Sequence, residues 1–295
     1  MRIVSLIPEA TEILEAIGLE DAVTAVSRED ARDFDRVADI VRAVQPSLIF
    51  TSETTAGGGV PRADVRRLAA DLNPRPAVYA LEPHTLGDIL SDVKTVGDAV
   101  RRQATARILI ESLRARIDAV SLRAARAAEE RAPRRTVCLA RVDPPVAAGT
   151  WLAELIGLAG GLDALDGVGR PPRAVTWDEV EAARPELVVC VEPGARLRAP
   201  GIPLRLTIMP SSEFTGLRRC ASMEPPPLRG ANIGCADIPT ASPSHGGGGS
   251  HTQCPGREVH PGPGAVDLLE GLAALILPPA PFSGVEGRAE RLERP

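Results

Sequence analysis

Residues 101–131 read RRQATARILIESLRARIDAVSLRAARAAEER, and the fold turns on them. Ile108, Leu109, Leu113, Ile117, Val120 and Leu122 recur at helical spacing, which predicts one continuous amphipathic helix. At ~1.5 Å per residue, roughly thirty residues reach about 45 Å. A crossover within one small sheet needs far less. A helix of this length suits a rigid strut between two lobes. The expected division is residues 1–98 for a first lobe, 99–132 for the strut, 133–282 for a second lobe and 283–295 for a charged tail.

The chain before the strut alternates short apolar runs with helical patterns. RIVSLI (2–7), AVTAVS (22–27), SLIFTS (47–52) and PAVYAL (76–81) read as strands. Helical patterns follow them in PEATEILEAIG, VADIVRAVQP, VPRADVRRLAADL and TLGDILSDVKTVGDAV. Strand–helix alternation predicts an α/β unit, a parallel sheet with helices on its faces. The pattern resumes after the strut with the strands RTVCLARV (135–142) and ELVVCV (186–191) and the helices TWLAELIGLAGG and VTWDEVEAARP. From about residue 197 to 257 the chain is dense in Pro, Gly and Ser, with one weak strand candidate, PLRLTIM. Such a composition buries too little apolar surface to offset ordering entropy. HPGPGAVDLLEGLAALILPP then restores an amphipathic helix.

Composition removes several functions. The net charge of −5 and the absence of a basic patch interleaved with aromatics argue against nucleic acid as a partner. The five cysteines, Cys138, Cys190, Cys220, Cys235 and Cys254, form no CxxC pair and give no zinc or disulfide framework. Cys138 and Cys190 sit in apolar runs and read as buried thiols. No signal peptide precedes Pro8, so the chain as written is expected in the cytoplasm; a start lying further upstream would place it in the periplasm or outside the cell. TAGGG (55–59) lacks the phosphate-loop pattern, and no GxSxG elbow is present. His245, His251, His260 and Cys254 read as parts of a linker, not as a metal site.

The loops that follow strands carry the candidate site, because ligands of open parallel sheets bind at the strands' carboxyl ends. These loops are IPEAT, SRED, TSETTAGGG, LEPHT, RVDPPVAAGTW and EPG. They supply Pro8, Glu9, Ala10, Glu53 and His84 on the first lobe, and Pro144, Pro145 and Trp151 on the second. Prolines, small residues and one indole, with no convergent acid, base and nucleophile, fit a binding cleft better than a catalytic one. No enzyme activity and no catalytic residue are expected. A flat indole beside a rigid proline loop suits a large planar macrocycle.

Several blocks resemble a known family in the right order. They are RIVSLIPEATEILEAIGLEDAVTAVS, DIVRAVQPSLIFTS, LEPHTLGDILSDVKTVG, VDPPVAAGTWLAELIGLAGGLDAL, RAVTWDEVEAARPELVVCV and HPGPGAVDLLEGLAAL. They are similar to the cobalamin (vitamin B12)-binding, helical-backbone substrate-binding proteins of ABC transporters. The likeness covers roughly residues 1–195 and 258–282. It implies two Rossmann-like lobes with parallel sheets, joined by one long backbone helix with limited hinge motion. It implies a monomer with no cofactor of its own, which holds a corrinoid (cobalamin) as ligand and presents it to an ABC permease. An acidic residue on each lobe docks on the permease in such proteins; the matching positions are Asp39 and Asp178.

Two departures bear on the ligand. SREDARDF stands where the family often carries a histidine-containing segment, and residues 197–257 match nothing while both flanks do. A reading-frame excursion or a replaced segment produces that pattern. The alternatives are an iron–siderophore or haem ligand on the same fold, for which Arg28, Arg62 and Arg141 supply cations, and a degenerate, non-functional member.

Overall fold

The computed structural model describes residues 1–26, 30–54, 60–191, 206–208 and 262–277. The first sheet is built from β1 (Ile3–Ser5), β2 (Val23–Ala25), β3 (Leu48–Ser52) and β4 (Ala77–Leu81), ordered β2-β1-β3-β4 and parallel throughout. The inner strands β1 and β3 are buried at every position, as apolar runs flanked by helices on both faces must be. Between the strands run α1 (Pro8–Ala16), α2 (Phe34–Val44) and α3 (Arg62–Ala70). Pro8 opens α1 with its fixed φ. Asp33 caps α2 by accepting from the N–H groups of Asp35 and Arg36.

α4 (Leu86–Ala99) turns back into α5 (Gln103–Glu130), whose 28 residues span about 42 Å. Gly97 makes the turn possible, since a Cβ there would lie 2.3 Å from the Ala106 Cβ. The buried face of α5 is Ala106, Leu109, Leu113, Val120 and Ala124, with Ile117 partly buried beside it. The sequence reading put Ile108 and Leu122 on this stripe, but they are 57% and 55% exposed. Small alanines hold those places instead, because neighbouring backbone comes too close for a larger side chain. Near the far end Gly160, at φ +83°, stands so that a Cβ would be 3.1 Å from the Ala124 Cβ.

The second half adds β5 (Arg134–Val142), β6 (Pro145–Ala147), α6 (Thr150–Leu158), β7 (Gly161–Asp163), β8 (Arg173–Ala174), α7 (Trp177–Ala182), β9 (Leu187–Cys190), β10 (Leu206–Ile208) and α8 (Ala265–Ile276). The sheet runs β10-β9-β5-β6-β8, with β7 also on β5. Its core pairs, β5 with β9 and β9 with β10, are parallel. The expectation of a parallel second sheet needs one correction: β6 pairs antiparallel with both of its neighbours, β5 and β8. Asp143 and Pro144 are a two-residue hairpin connection, and so short a link can join only antiparallel strands. Thr176 and Glu179 form a capping box at the start of α7.

One apolar cluster runs through both halves. It joins Ile3, Phe50, Ile89 and Val93 from the first half, Leu109, Leu113 and Val120 from α5, and Leu155, Val189, Leu269 and Leu272 from the second. Smaller clusters lie outside it, around Val37 and Val65 in the first half and around Val137 and Val180 in the second. Arg116 of α5 is held by Asp267 and Glu270 of α8, bonds that keep its guanidinium charged against the cost of burial. Burial pushes the Asp267 carboxyl up, and Arg116 pulls it only partly back. Cys138 and Cys190 are buried free thiols, and burial drives the Cys138 pKa up. Cys220, Cys235, Cys254, His245, His251, His260 and the Pro/Gly/Ser-rich 209–257 lie outside the described residues.

Asp92 on α4 has a buried Oδ2 with no hydrogen-bond partner among the described residues. Burial, with Asp88 one turn away adding like charge, raises its pKa to about 7. The folded chain therefore holds this proton over a range where the unfolded chain, near ~3.9, has lost it. Stability should fall as pH rises from about 4 to about 7. Asp92→Asn should remove that slope: on the order of 1 kcal/mol more stable than the parent at pH 8 in urea unfolding, since solvent screens a part-buried group, and equal to it at pH 4. Gly97→Ala should cost about 1–3 kcal/mol by the same measurement, as overpacking does. Ile108→Glu, on the exposed side, should stay within about 0.5 kcal/mol.

Candidate ligand-binding edge

The carboxyl ends of β1 and β3 are set by short hydroxyl-to-carbonyl bonds. Ser5 donates from Oγ to the Ile7 carbonyl at 2.9 Å and accepts from Thr11 Oγ1 at 2.9 Å. This fixes the turn that presents Pro8. Pro8 is half-buried, Glu9 is 5% exposed and Ala10 is fully enclosed. After β3, Ser52 Oγ donates to the Thr54 carbonyl at 2.7 Å, and Thr51 bonds the Val60 carbonyl. Glu53, beyond the strand end, accepts from Arg62 at 3.0 Å, with both side chains part-exposed. Arg62 Nε has no hydrogen-bond partner among the described residues. Thr54 Oγ1 donates to Glu82 Oε1 at 3.0 Å, tying the loop after β3 to the end of β4.

His84 is exposed on the next turn. Its N–H and that of Thr85 donate to the Asp88 carboxylate at 3.1 and 2.9 Å, and the Asp88 N–H donates to Thr85 Oγ1 at 3.0 Å. Burial opposes charge on Asp88, but these bonds outweigh it and hold the carboxyl below its ordinary range. The turn is thus fixed by a capping box, with the imidazole facing solvent.

On the second lobe the edge is the β5–β6 hairpin. Pro144 is exposed and accepts, through its carbonyl, from Arg141 Nε at 3.2 Å. Pro145 is buried and starts β6. Trp151 is 7% exposed and belongs to the shared apolar cluster. Its indole, read as a flat face for a macrocycle, is packed into that cluster and shows little surface. Ala10 and Pro145 likewise stand behind the surface. The structure therefore exposes Glu53, His84 and Pro144 and part of Pro8, and it buries Glu9, Ala10, Pro145 and Trp151.

Asp39 is on α2, 77% exposed, at 3.8 Å from Arg42. Asp178 is exposed in the first turn of α7. Arg28, residues 55–59 and the loop after Val191 lie outside the described residues. Among the described residues no three His, Cys, Asp or Glu side chains form a metal-binding group. No described helix is long and apolar enough to cross a membrane. Sequence reasoning missed Glu82, whose tie to Thr54 crosses from one strand-end loop to another. Short local windows carry no signal for such a pair.

No protein-family model and no curated protein matches the chain. Solved structures do. The periplasmic heme-binding protein RhuT from Roseiflexus sp. RS-1 aligns with a TM-score of 0.52 at 22% identity, over 64% of this chain and 75% of that one. The periplasmic vitamin B12-binding protein BtuF of Vibrio cholerae aligns with a TM-score of 0.51 at 22% identity, over 65% and 76%. A periplasmic heme-binding protein from Pseudomonas aeruginosa aligns with a TM-score of 0.54 at 16% identity, over 67% and 74%. With its two α/β halves bridged by α5, the chain has the fold of these periplasmic binding proteins.

Proposed function

We propose that the protein is the substrate-binding component of an ABC-type importer, and that it holds a corrinoid between its two lobes. The charge at the described strand ends carries the choice of ligand. Glu53 and Glu82 stand there, and the guanidinium of Arg62 is already engaged by Glu53. Arg141 on the facing hairpin is tied to the Pro144 carbonyl. A corrinoid presents a rim of neutral amides whose N–H groups donate to carboxylates. A haem presents two propionates and a ferric siderophore is often anionic, and both call for unengaged cations.

In this reading Glu53, His84, Pro144 and Pro8 meet the ligand, with the His84 imidazole free to approach a metal centre. Glu9, Ala10, Pro145 and Trp151 shape the walls from behind. Asp39 and Asp178, exposed on helices of different lobes, meet the permease. The protein works as a monomer outside the cytoplasmic membrane, by binding alone and without catalysis. The haem reading retains one observation in its favour, an Arg62 Nε without a hydrogen-bond partner among the described residues.

Titration with cyanocobalamin and, separately, hemin, followed by absorbance and calorimetry, tests the proposal. Cyanocobalamin should saturate at micromolar protein, and hemin should not. Glu53→Lys with Glu82→Lys should weaken cobalamin binding at least tenfold and improve hemin binding. Absence of saturable binding of cobalamin or cobinamide would sink the corrinoid reading, and saturable hemin binding in its place would install the haem reading.

A further inference from the structure

Two carboxylates cross between the lobes, each in the opposite direction. Glu154 of α6 accepts from the Leu86 N–H, at the first residue of α4, at 2.7 Å. Glu12 of α1 accepts from the Gly264 N–H, at the start of α8, at 2.7 Å. Each lobe thus satisfies an otherwise orphaned N–H at the amino end of a helix packed in the other lobe, where the helix dipole favours negative charge. The Glu12 carboxylate lies close against the backbone at Gly264, where a Cβ would stand 2.8 Å from Oε1.

Leu86 follows His84 by two residues. The His84 turn is therefore gripped from two sides, by Asp88 of its own helix and by Glu154 of the other lobe. We infer that Glu12 and Glu154 form a reciprocal inter-lobe clasp, and that Glu154 is a positioning residue that sets where the His84 turn stands against the second lobe. The clasp is a property of the fold alone; its effect on ligand rests on the binding role proposed for His84.

Single-amide hydrogen exchange by NMR separates a clasp from two unrelated helix caps. Glu154→Ala should speed exchange at Leu86 at least tenfold, and Glu154→Gln, which keeps an oxygen acceptor, should recover part of the protection. The decisive variant is Glu12→Ala. Its carboxylate belongs to the other crossing, at Gly264, yet in a clasp that opens as one unit its loss should raise Leu86 exchange several-fold. Val180→Ala loosens the outer core of the second lobe and should leave Leu86 at the parental rate. Parental exchange at Leu86 in Glu12→Ala, or an equal rise in Val180→Ala, overturns the clasp. Cyanocobalamin affinity should fall at least tenfold in Glu154→Ala and less in Glu154→Gln; unchanged affinity beside raised exchange overturns the positioning role. Failure of the parent to bind cobalamin overturns the ligand reading instead, and the clasp is then decided by exchange alone.

Discussion

The architecture depends on one narrow helix face that two lobes must share. Leu109, Leu113 and Val120 of α5 are buried, and each such side chain contributes about 1.5–3 kcal/mol when removed from water. At either end of that face an alanine meets a glycine of a neighbouring element: Ala106 against Gly97, and Ala124 against Gly160. Large side chains in the middle supply the apolar burial, and small ones at the ends let other backbone come close. α4 packs on this helix from the first lobe, and α6 and α8 pack on it from the second. A strut used in this way is a common core rather than a tether.

That sharing explains where the tryptophan goes. Between a hairpin and a helix, Trp151 has the sequence context of a surface aromatic, yet α6 turns it into the cluster that also holds Leu86 and Leu155. An indole is the largest apolar surface this aromatic-poor chain can bury, and the junction of the lobes is where most such surface is needed. The hairpin before it is shaped by close approach as well. A Cβ on Gly149 would lie 2.3 Å from the Arg170 carbonyl, so the start of α6 is pressed against the segment leading into β8.

The elements legible in the sequence are those whose information is local. The four strands of the first sheet and the long helix follow from apolar periodicity within short windows. β6, β7 and β8, of three, three and two residues, are too short to show a period. The burial of Trp151 and the exposure of Ile108 were illegible because hydrophobicity names a candidate for the core without naming the face that meets it. At the candidate site, the placement of Glu53 and His84 at strand ends could be read in advance. The links Thr54–Glu82, Glu154–Leu86 and Glu12–Gly264 could not, since 28, 68 and 252 residues separate the partners.

Adhesion and orientation of the lobes have different physical sources. Apolar burial is non-directional: it favours contact between the lobes but accepts a range of angles at nearly equal free energy. A carboxylate on a helix amino terminus is worth about 1.5–3 kcal/mol and is steep in angle. Two such bonds, one in each direction, are the orienting element of the proposed clasp. Exposed pairs such as Arg42–Asp39 add little to either task, because solvent screens them. The strand-end loops of the two lobes are therefore held in distance by α5, and in the proposed clasp Glu12 and Glu154 set their angle. For the ligand proposed above, such an arrangement is a preorganised wall with little ordering entropy to offset.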